Sequence, residues 1–152
     1  MNHSVLAATA IACVLMASHW TAAQTPTGTV TVTPDKLMWK PSPRVAGVEN
    51  ADLVGDSTKQ GPYVQRVRFP ANFKVQPHTH PEDRTYTIIS GTWYVGWGDK
   101  FDEAKLIALP AGSFYTEPAN VPHFVATKGE PVVVQLSGVG PTATKMLDAP
   151  KQ

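Results

Sequence analysis

Residues 77–91 read PHTHPEDRTYTIISG, and the rest of the chain is organised around them. His78 and His80 are two apart. Residues two apart on an extended strand point to the same face, so both imidazoles can reach one point. Tyr86, Ile88 and Ile89 follow in a run that reads as strand, and Gly91 ends it. A third histidine, His123, lies downstream in a Pro-rich turn and is followed by an apolar run. Three imidazoles converging from two strands make a site for a divalent transition metal.

Working outward, residues 63–69 alternate Tyr63, Gln65, Val67 and Phe69 against Val64, Arg66 and Arg68, the period of a half-buried strand. Pro70, Ala71 and Asn72 predict a turn, and residues 73–77 lead into the histidine pair. On the other side, 92–97 (TWYVGW) predict the next strand, antiparallel to 86–90 across Gly91. Gly98 to Lys100 turn the chain, 106–109 and 114–116 read as short strands, and Pro110 to Gly112 form another turn. Residues 117–122 (EPANVP) read as an irregular approach to His123. Residues 132–136 are the last core strand, and the polar tail from Gly140 is expected to fray. Towards the N-terminus, 29–33 (TVTVT) alternate as an arm able to pair with a sheet edge, the chain's own or a partner's. Residues 36–40 are a short apolar run stopped by Pro41 and Pro43, and 45–61 read as loop with one short strand. No segment has the pattern of an amphipathic helix, so the fold class is all-β, a sandwich or a barrel.

Composition agrees. The 152 residues include 14 Pro and 11 Gly, and 13 basic side chains against 12 acidic ones leave a net charge of +1. With the charge nearly balanced, no basic surface argues for a nucleic-acid partner, and none is expected. Residues 5–17 are apolar but too short to span a bilayer. Thr21, Ala22 and Ala23 then offer the small residues of a signal-peptidase site, which predicts cleavage before Gln24 and a secreted or periplasmic protein with no membrane association afterwards. The n-region has no Lys or Arg, which leaves open a buried or membrane-anchoring helix. A lipoprotein at Cys13 is the weaker alternative, because the apolar run continues past the cysteine. Cleavage would remove Cys13, His3 and His19, so the mature chain would have no disulfide and its only histidines would be His78, His80 and His123. The expected organisation is a signal peptide at 1–23, an N-terminal arm with the first strands at 24–62, the domain core at 63–140 and a polar tail at 141–152.

The histidines carry a resemblance to the cupin superfamily. Its first motif is G-x5-H-x-H-x3,4-E-x6-G, and His78, His80 and Gly91 match it, with Asn72 at the first Gly position. Asn enters the left-handed region more readily than other non-Gly residues. The second motif, P-x-G followed by P-x-x-x-P-H, is matched by Pro110, Gly112, Pro118, Pro122 and His123. The resemblance spans about residues 63–136 and implies a single cupin jelly-roll β-barrel with the metal inside its mouth. The family's carboxylate ligand would fall on Arg84, a cation with no acceptor. Three accounts compete: Glu82 or Asp83 supplies the oxygen, the site is three histidines plus water, or metal binding is lost. Three histidines plus water is preferred, with Glu82 as the reserve ligand.

A site of neutral imidazoles suits Cu, Zn, Fe and Ni, and raw affinity favours Cu(II). Copper is therefore the first choice for the one bound metal ion, iron or manganese next, zinc or nickel after them. By strand parity Arg84, Tyr86 and Ile88 share the face of the histidine pair. Arg84 either clamps an anionic substrate or is held in a salt bridge to Glu82 or Glu117. Tyr86 either hydrogen-bonds a bound oxygen species or is an ordinary core tyrosine. Gln135 and Trp97 are candidate pocket residues, and Trp93 is expected in the core. The functional expectation is a metal-dependent oxidoreductase using O2 or peroxide on a small organic, phenolic or carbohydrate substrate, with Arg84 and Tyr86 as catalytic residues. A redox-neutral lyase or isomerase and a non-enzymatic ligand-binding or sensor protein are the alternatives. Edge-strand pairing through the 29–33 arm predicts a homodimer.

Overall fold

In strand β3 (Gly61–Phe69), Tyr63, Gln65, Val67 and Phe69 turn inward and are buried, while Val64, Arg66 and Arg68 lie half-buried on the other face. The alternation in the sequence is thus the alternation of the fold in this computed structural model, which describes residues 28–147. The other strands in chain order are β1 (Lys40–Pro41), β2 (Glu49–Val54), β4 (Lys74–Thr79), β5 (Arg84–Ser90), β6 (Thr92–Trp97), β7 (Ile107–Pro110), β8 (Phe114–Glu117), β9 (His123–Ala126), β10 (Val132–Gly140) and β11 (Lys145–Met146). They form two sheets, in the orders β1-β2-β3-β10-β5-β8 and β11-β4-β9-β6-β7. Every pairing is antiparallel. The result is an all-β jelly roll. Among the described residues no helix is long and apolar enough to cross a membrane.

The inward faces meet in one core that includes Tyr63, Ile88, Trp93, Val95, Val132 and Val134. Phe69 tilts onto Trp93 with ring centroids 4.6 Å apart. Trp93 is 2% exposed, as its alternation with Val95 predicts, and burying one side chain of this kind contributes roughly 1.5–3 kcal/mol. Asn72 holds φ at 55°, the left-handed conformation that a Gly would otherwise supply, and its N–H donates to the Lys128 carbonyl at 2.9 Å.

The strands on either side of Gly91 do not form a hairpin. β5 pairs with β10 and β8, whereas β6 pairs with β9 and β7 in the other sheet. The reason is length: a tight hairpin needs a two-residue loop, and only Gly91 separates the two strands. Gly91 has φ +73°, and a Cβ there would meet the Pro131 carbonyl oxygen at 2.6 Å. The chain therefore turns from one sheet into the other at a position only glycine fits.

Two terminal expectations also change. Residues 29–33 are exposed and join no sheet, and a 3-10 turn at Pro34–Lys36 follows them. An alternating segment becomes a strand only when it pairs with an edge, and among the described residues 29–33 pair with none. The start of that arm, 24–27, and the leader 1–23 with Cys13, His3 and His19 lie outside the described residues. The tail does not fray over 141–147. The Thr142 N–H donates to the Ser57 carbonyl at 2.7 Å and the Leu147 N–H to the Pro77 carbonyl at 2.8 Å. β11 pairs with β4, setting Lys145 opposite Thr79 and Met146 opposite His78. Polarity of a tail describes its side chains, and here its backbone completes the sheet edge beside the histidines.

Candidate metal centre

β4 delivers His78 and, one residue past its end, His80, while β9 opens with His123. A register shift between Val75 and His78 sets His78 directly opposite His123. The three residues are 5%, 5% and 1% exposed. Their centroids stand 4.9 Å (His78–His80), 4.3 Å (His78–His123) and 5.1 Å (His80–His123) apart, and their ligand atoms all lie within 4.8 Å of one another. The group predicted from the sequence is assembled.

The tautomers follow from the second ring nitrogens. Each Nδ1 faces a backbone carbonyl: Gln76 at 2.8 Å for His78, Ala143 at 2.7 Å for His80 and Val121 at 3.0 Å for His123. A carbonyl only accepts, so each Nδ1 carries the proton and each Nε2 keeps its lone pair, the arrangement that orients metal-ligating histidines. Burial, followed by the electrostatic influence of the neighbouring His123 ring, pushes the His78 pKa down to about 4. Burial, followed by the Arg84 guanidinium, pushes His80 down to about 2. The His123 Nε2 is buried with no hydrogen-bond partner. An orphaned lone pair within a cluster of neutral imidazoles fits a divalent metal ion, which would satisfy it.

The Arg84 side chain is 7% exposed and its donors are engaged. Nε donates to Glu82 Oε1 at 2.7 Å, Nη1 to the Tyr86 hydroxyl at 3.3 Å, and Nη2 to the Ala143 carbonyl at 3.3 Å and to the Thr142 hydroxyl. Of the two salt-bridge partners read from the sequence, the guanidinium takes Glu82. Glu82 Oε1 also accepts from the Tyr63 hydroxyl at 2.8 Å. The reserve ligand is thus turned towards Tyr63 and Arg84, and its second oxygen is buried without a partner. Asp83 accepts from the Ala119 N–H at 2.7 Å on the exposed side.

The carboxylate beside the imidazoles is Glu117, which by sequence alone belongs to the irregular segment 117–122. It ends β8, directly opposite Arg84. Its side chain is 2% exposed, with Oε1 3.3 Å from His123 Nε2 and Oε2 3.8 Å from His80 Nε2. In the structure strand parity extends to it: Tyr115 and Glu117 are buried while Phe114 and Thr116 are exposed. The Pro118 that follows had masked the strand's last residue.

Tyr86 faces inward and stacks on Tyr115 with centroids 4.8 Å apart and planes 19° from parallel. Burial, then the Glu117 charge, holds its phenol pKa well above the usual value, so it is protonated. Gln135 is on the outer face of β10, where its Oε1 accepts from Arg66 Nε at 3.2 Å; inward places on that strand belong to Val134 and Leu136. Trp97 meets Tyr115 edge-on, 6.4 Å between centroids. Neither lines the cavity above the histidines, whose walls are apolar at Val48, Val67, Phe69 and Leu136 and polar at Arg44, Asn50, Arg84 and Tyr86. The Asn50 Oδ1 is buried there without a partner.

A two-sheet jelly roll that gathers three buried histidines from adjoining strands defines a cupin equipped to hold a divalent metal. Comparison with known proteins places it more closely: the ChrR cupin-like domain family matches residues 27–142, and the chain belongs to that family. No curated protein matches it in sequence. Among solved structures it is similar to the polyketide cyclase RemF from Streptomyces resistomycificus, at 12% identity and a TM-score of 0.67 over 82% of this chain and 89% of that one. It is also similar to KdgF from Halomonas sp., at 18% identity and a TM-score of 0.56 over 75% and 96%. A third likeness is to the DMSP lyases RdDddP and RnDddQII, at 20% identity and a TM-score of 0.55 over 69% and 57%. At these identities the likeness is one of fold.

Proposed function

We propose that the protein is a metal-dependent oxidoreductase acting with O2 or peroxide on a small organic, phenolic or carbohydrate substrate, with copper or iron held by His78, His80 and His123. The observation that carries this reading is the set of three buried imidazoles, each fixed through Nδ1 with Nε2 free. A bound redox-active metal supplies an electron-transfer couple and an electrophilic centre. The chain's own residues do the rest. The apolar walls exclude water. Arg84 holds the Tyr86 oxygen through Nη1, which leaves the phenol proton to point away from the guanidinium, on the side where Glu117 stands. There Tyr86 is placed to donate to an oxygen that gains negative charge. The unpartnered Asn50 Oδ1 suits a hydroxyl or N–H on the substrate.

A redox-neutral reading is favoured by one observation: the structural neighbours include proteins described as a cyclase and as lyases. In that reading the same phenol serves as acid or base beside a polarised carbonyl. The two are separated by measuring metal content in protein isolated without added metal, together with O2 uptake over a panel of phenols, small acids and sugars. Copper or iron with substrate-dependent O2 uptake supports the oxidative reading. Zinc, with turnover under nitrogen, sinks it in favour of the redox-neutral one. Tight ligand retention without turnover points to a binding protein. A secreted or periplasmic location is proposed with it from the apolar run at 5–17 and the small residues at 21–23, and an intact mass of exported protein starting near Gln24 tests it.

A further inference from the structure

We infer that Glu117 is the fourth protein ligand of the metal centre, a carboxylate carried by β8 in place of the one that Arg84 displaces from β5. The inference rests on the metal reading above and extends it, since three histidines plus water was the ligand set expected from the sequence.

The register supplies the first argument. Arg84 and Glu117 are cross-strand partners, so their side chains start from adjacent points on one face of the sheet. A carboxylate lost at the first position is recovered at the second with little change in where its oxygens lie. Arg84 meanwhile turns to Glu82, and that pair leaves the place beside the imidazoles to Glu117.

The second argument is geometric. Glu117 Oε1 and His123 Nε2 are 3.3 Å apart, and Glu117 Oε2 and His80 Nε2 are 3.8 Å apart. Neither contact is a hydrogen bond: His123 Nε2 and Glu117 Oε2 are both buried with no hydrogen-bond partner. With each Nδ1 proton committed to a carbonyl, both Nε2 atoms present lone pairs to an oxygen that also presents lone pairs. Such an arrangement is repulsive unless a proton or a metal cation lies between them. Two donors about 2.1 Å from one ion stand roughly 3.0–3.5 Å apart at right-angled to tetrahedral openings; the 3.3 Å contact to His123 falls in that window and the 3.8 Å contact to His80 is a few tenths of an ångström longer.

The third argument is support. Trp93 Nε1 donates to the Tyr115 hydroxyl at 2.9 Å, and that hydroxyl donates to Glu117 Oε1 at 2.9 Å. The chain of donors fixes the carboxylate and leaves Oε2 free, as a buried metal-ligating carboxylate requires. Among the described residues Glu117 forms no direct ion pair with a Lys or Arg; its basic neighbours at contact distance are the imidazoles.

The test compares metal binding by the wild type and by Glu117→Gln, which keeps an acceptor for Tyr115 but loses the charge. Co(II) is the probe, read by competition titration and by its visible absorption spectrum. The expected result is affinity lower by at least ten- to a hundred-fold, on the order of the loss seen when a supporting group is removed, with a changed ligand-field spectrum. Unchanged affinity and spectrum in a folded variant, while the wild type binds tightly, overturn the inference alone. No Co(II) binding by the wild type overturns the metal reading as well. If Glu117→Gln does not fold, isotope-edited infrared difference spectra of wild-type protein with labelled Glu carboxylates decide. A carboxylate band shifting on Co(II) addition supports the ligand, and a flat difference spectrum refutes it.

Discussion

The Tyr115→Phe substitution removes one oxygen and disturbs two buried neighbours. That hydroxyl accepts from Trp93 Nε1 and donates to Glu117 Oε1, both at 2.9 Å, and the Trp93 and Glu117 side chains lie in the interior. Phenylalanine keeps the ring stacked on Tyr86 and the edge contact with Trp97, so packing is nearly conserved. The indole N–H is then buried without an acceptor, which costs about 1–3 kcal/mol, and the carboxylate loses a hydrogen bond of about 1.5–3 kcal/mol. Together these predict a loss of about 2.5–6 kcal/mol in the metal-free protein. For a domain of this size that corresponds to a fall in Tm on the order of 10–20 °C. Urea unfolding of metal-free wild type and variant measures it directly. The Trp93→Phe change should cost less on a Tyr115→Phe background than alone, because the shared hydroxyl is already gone. A Tyr115→Phe midpoint within experimental error of the wild type, or strict additivity in that cycle, would refute the hydrogen-bonded chain.

Each of His78→Ala, His80→Ala and His123→Ala should abolish stoichiometric metal binding, measured by metal analysis after gel filtration; full occupancy in any one of them removes that residue from the ligand set. Truncation after Gly140 deletes β11 and the Ala143 carbonyl that orients His80. It should weaken metal affinity on the order of ten-fold or more, and equal affinity in competition titrations would show the tail to be dispensable. Because the His78 pKa falls from 6.5 to about 4 in the fold, the unfolded chain takes up its proton first as pH drops. Above pH 6.5 both states are neutral here and the metal-free fold is not penalised; its stability then falls progressively as pH drops from there to about 4. His80, lowered further, acts in the same direction, and flat urea midpoints across that window would contradict the buried neutral histidines. Deleting residues 24–33 should shift a homodimer towards monomer in sedimentation, since 29–33 are exposed and unpaired within the chain; an unchanged sedimentation coefficient would leave the arm without that role.

Much of the fold was legible along the chain because it depends on local rules. The alternation in 63–69, the glycine at 91 and the left-handed Asn72 each follow from side-chain parity or backbone sterics at one position. The histidine triad was legible for a related reason: two residues at strand spacing and a third heading another strand need only be brought side by side. What only the tertiary structure decided concerns which strands become neighbours. Nothing in residues 84–97 states that β5 and β6 belong to different sheets. The polar tail gives no local sign that its backbone will pair with β4 and hold His80 through Ala143. Glu117 carries no distinction as a surface-type residue before a proline. It becomes the carboxylate beside the imidazoles because β8 pairs with β5 at the register that sets it opposite Arg84. Parity is written in single residues, whereas register and strand adjacency arise from contacts between residues far apart in the chain, so the histidines could be read from the sequence and their carboxylate neighbour could not.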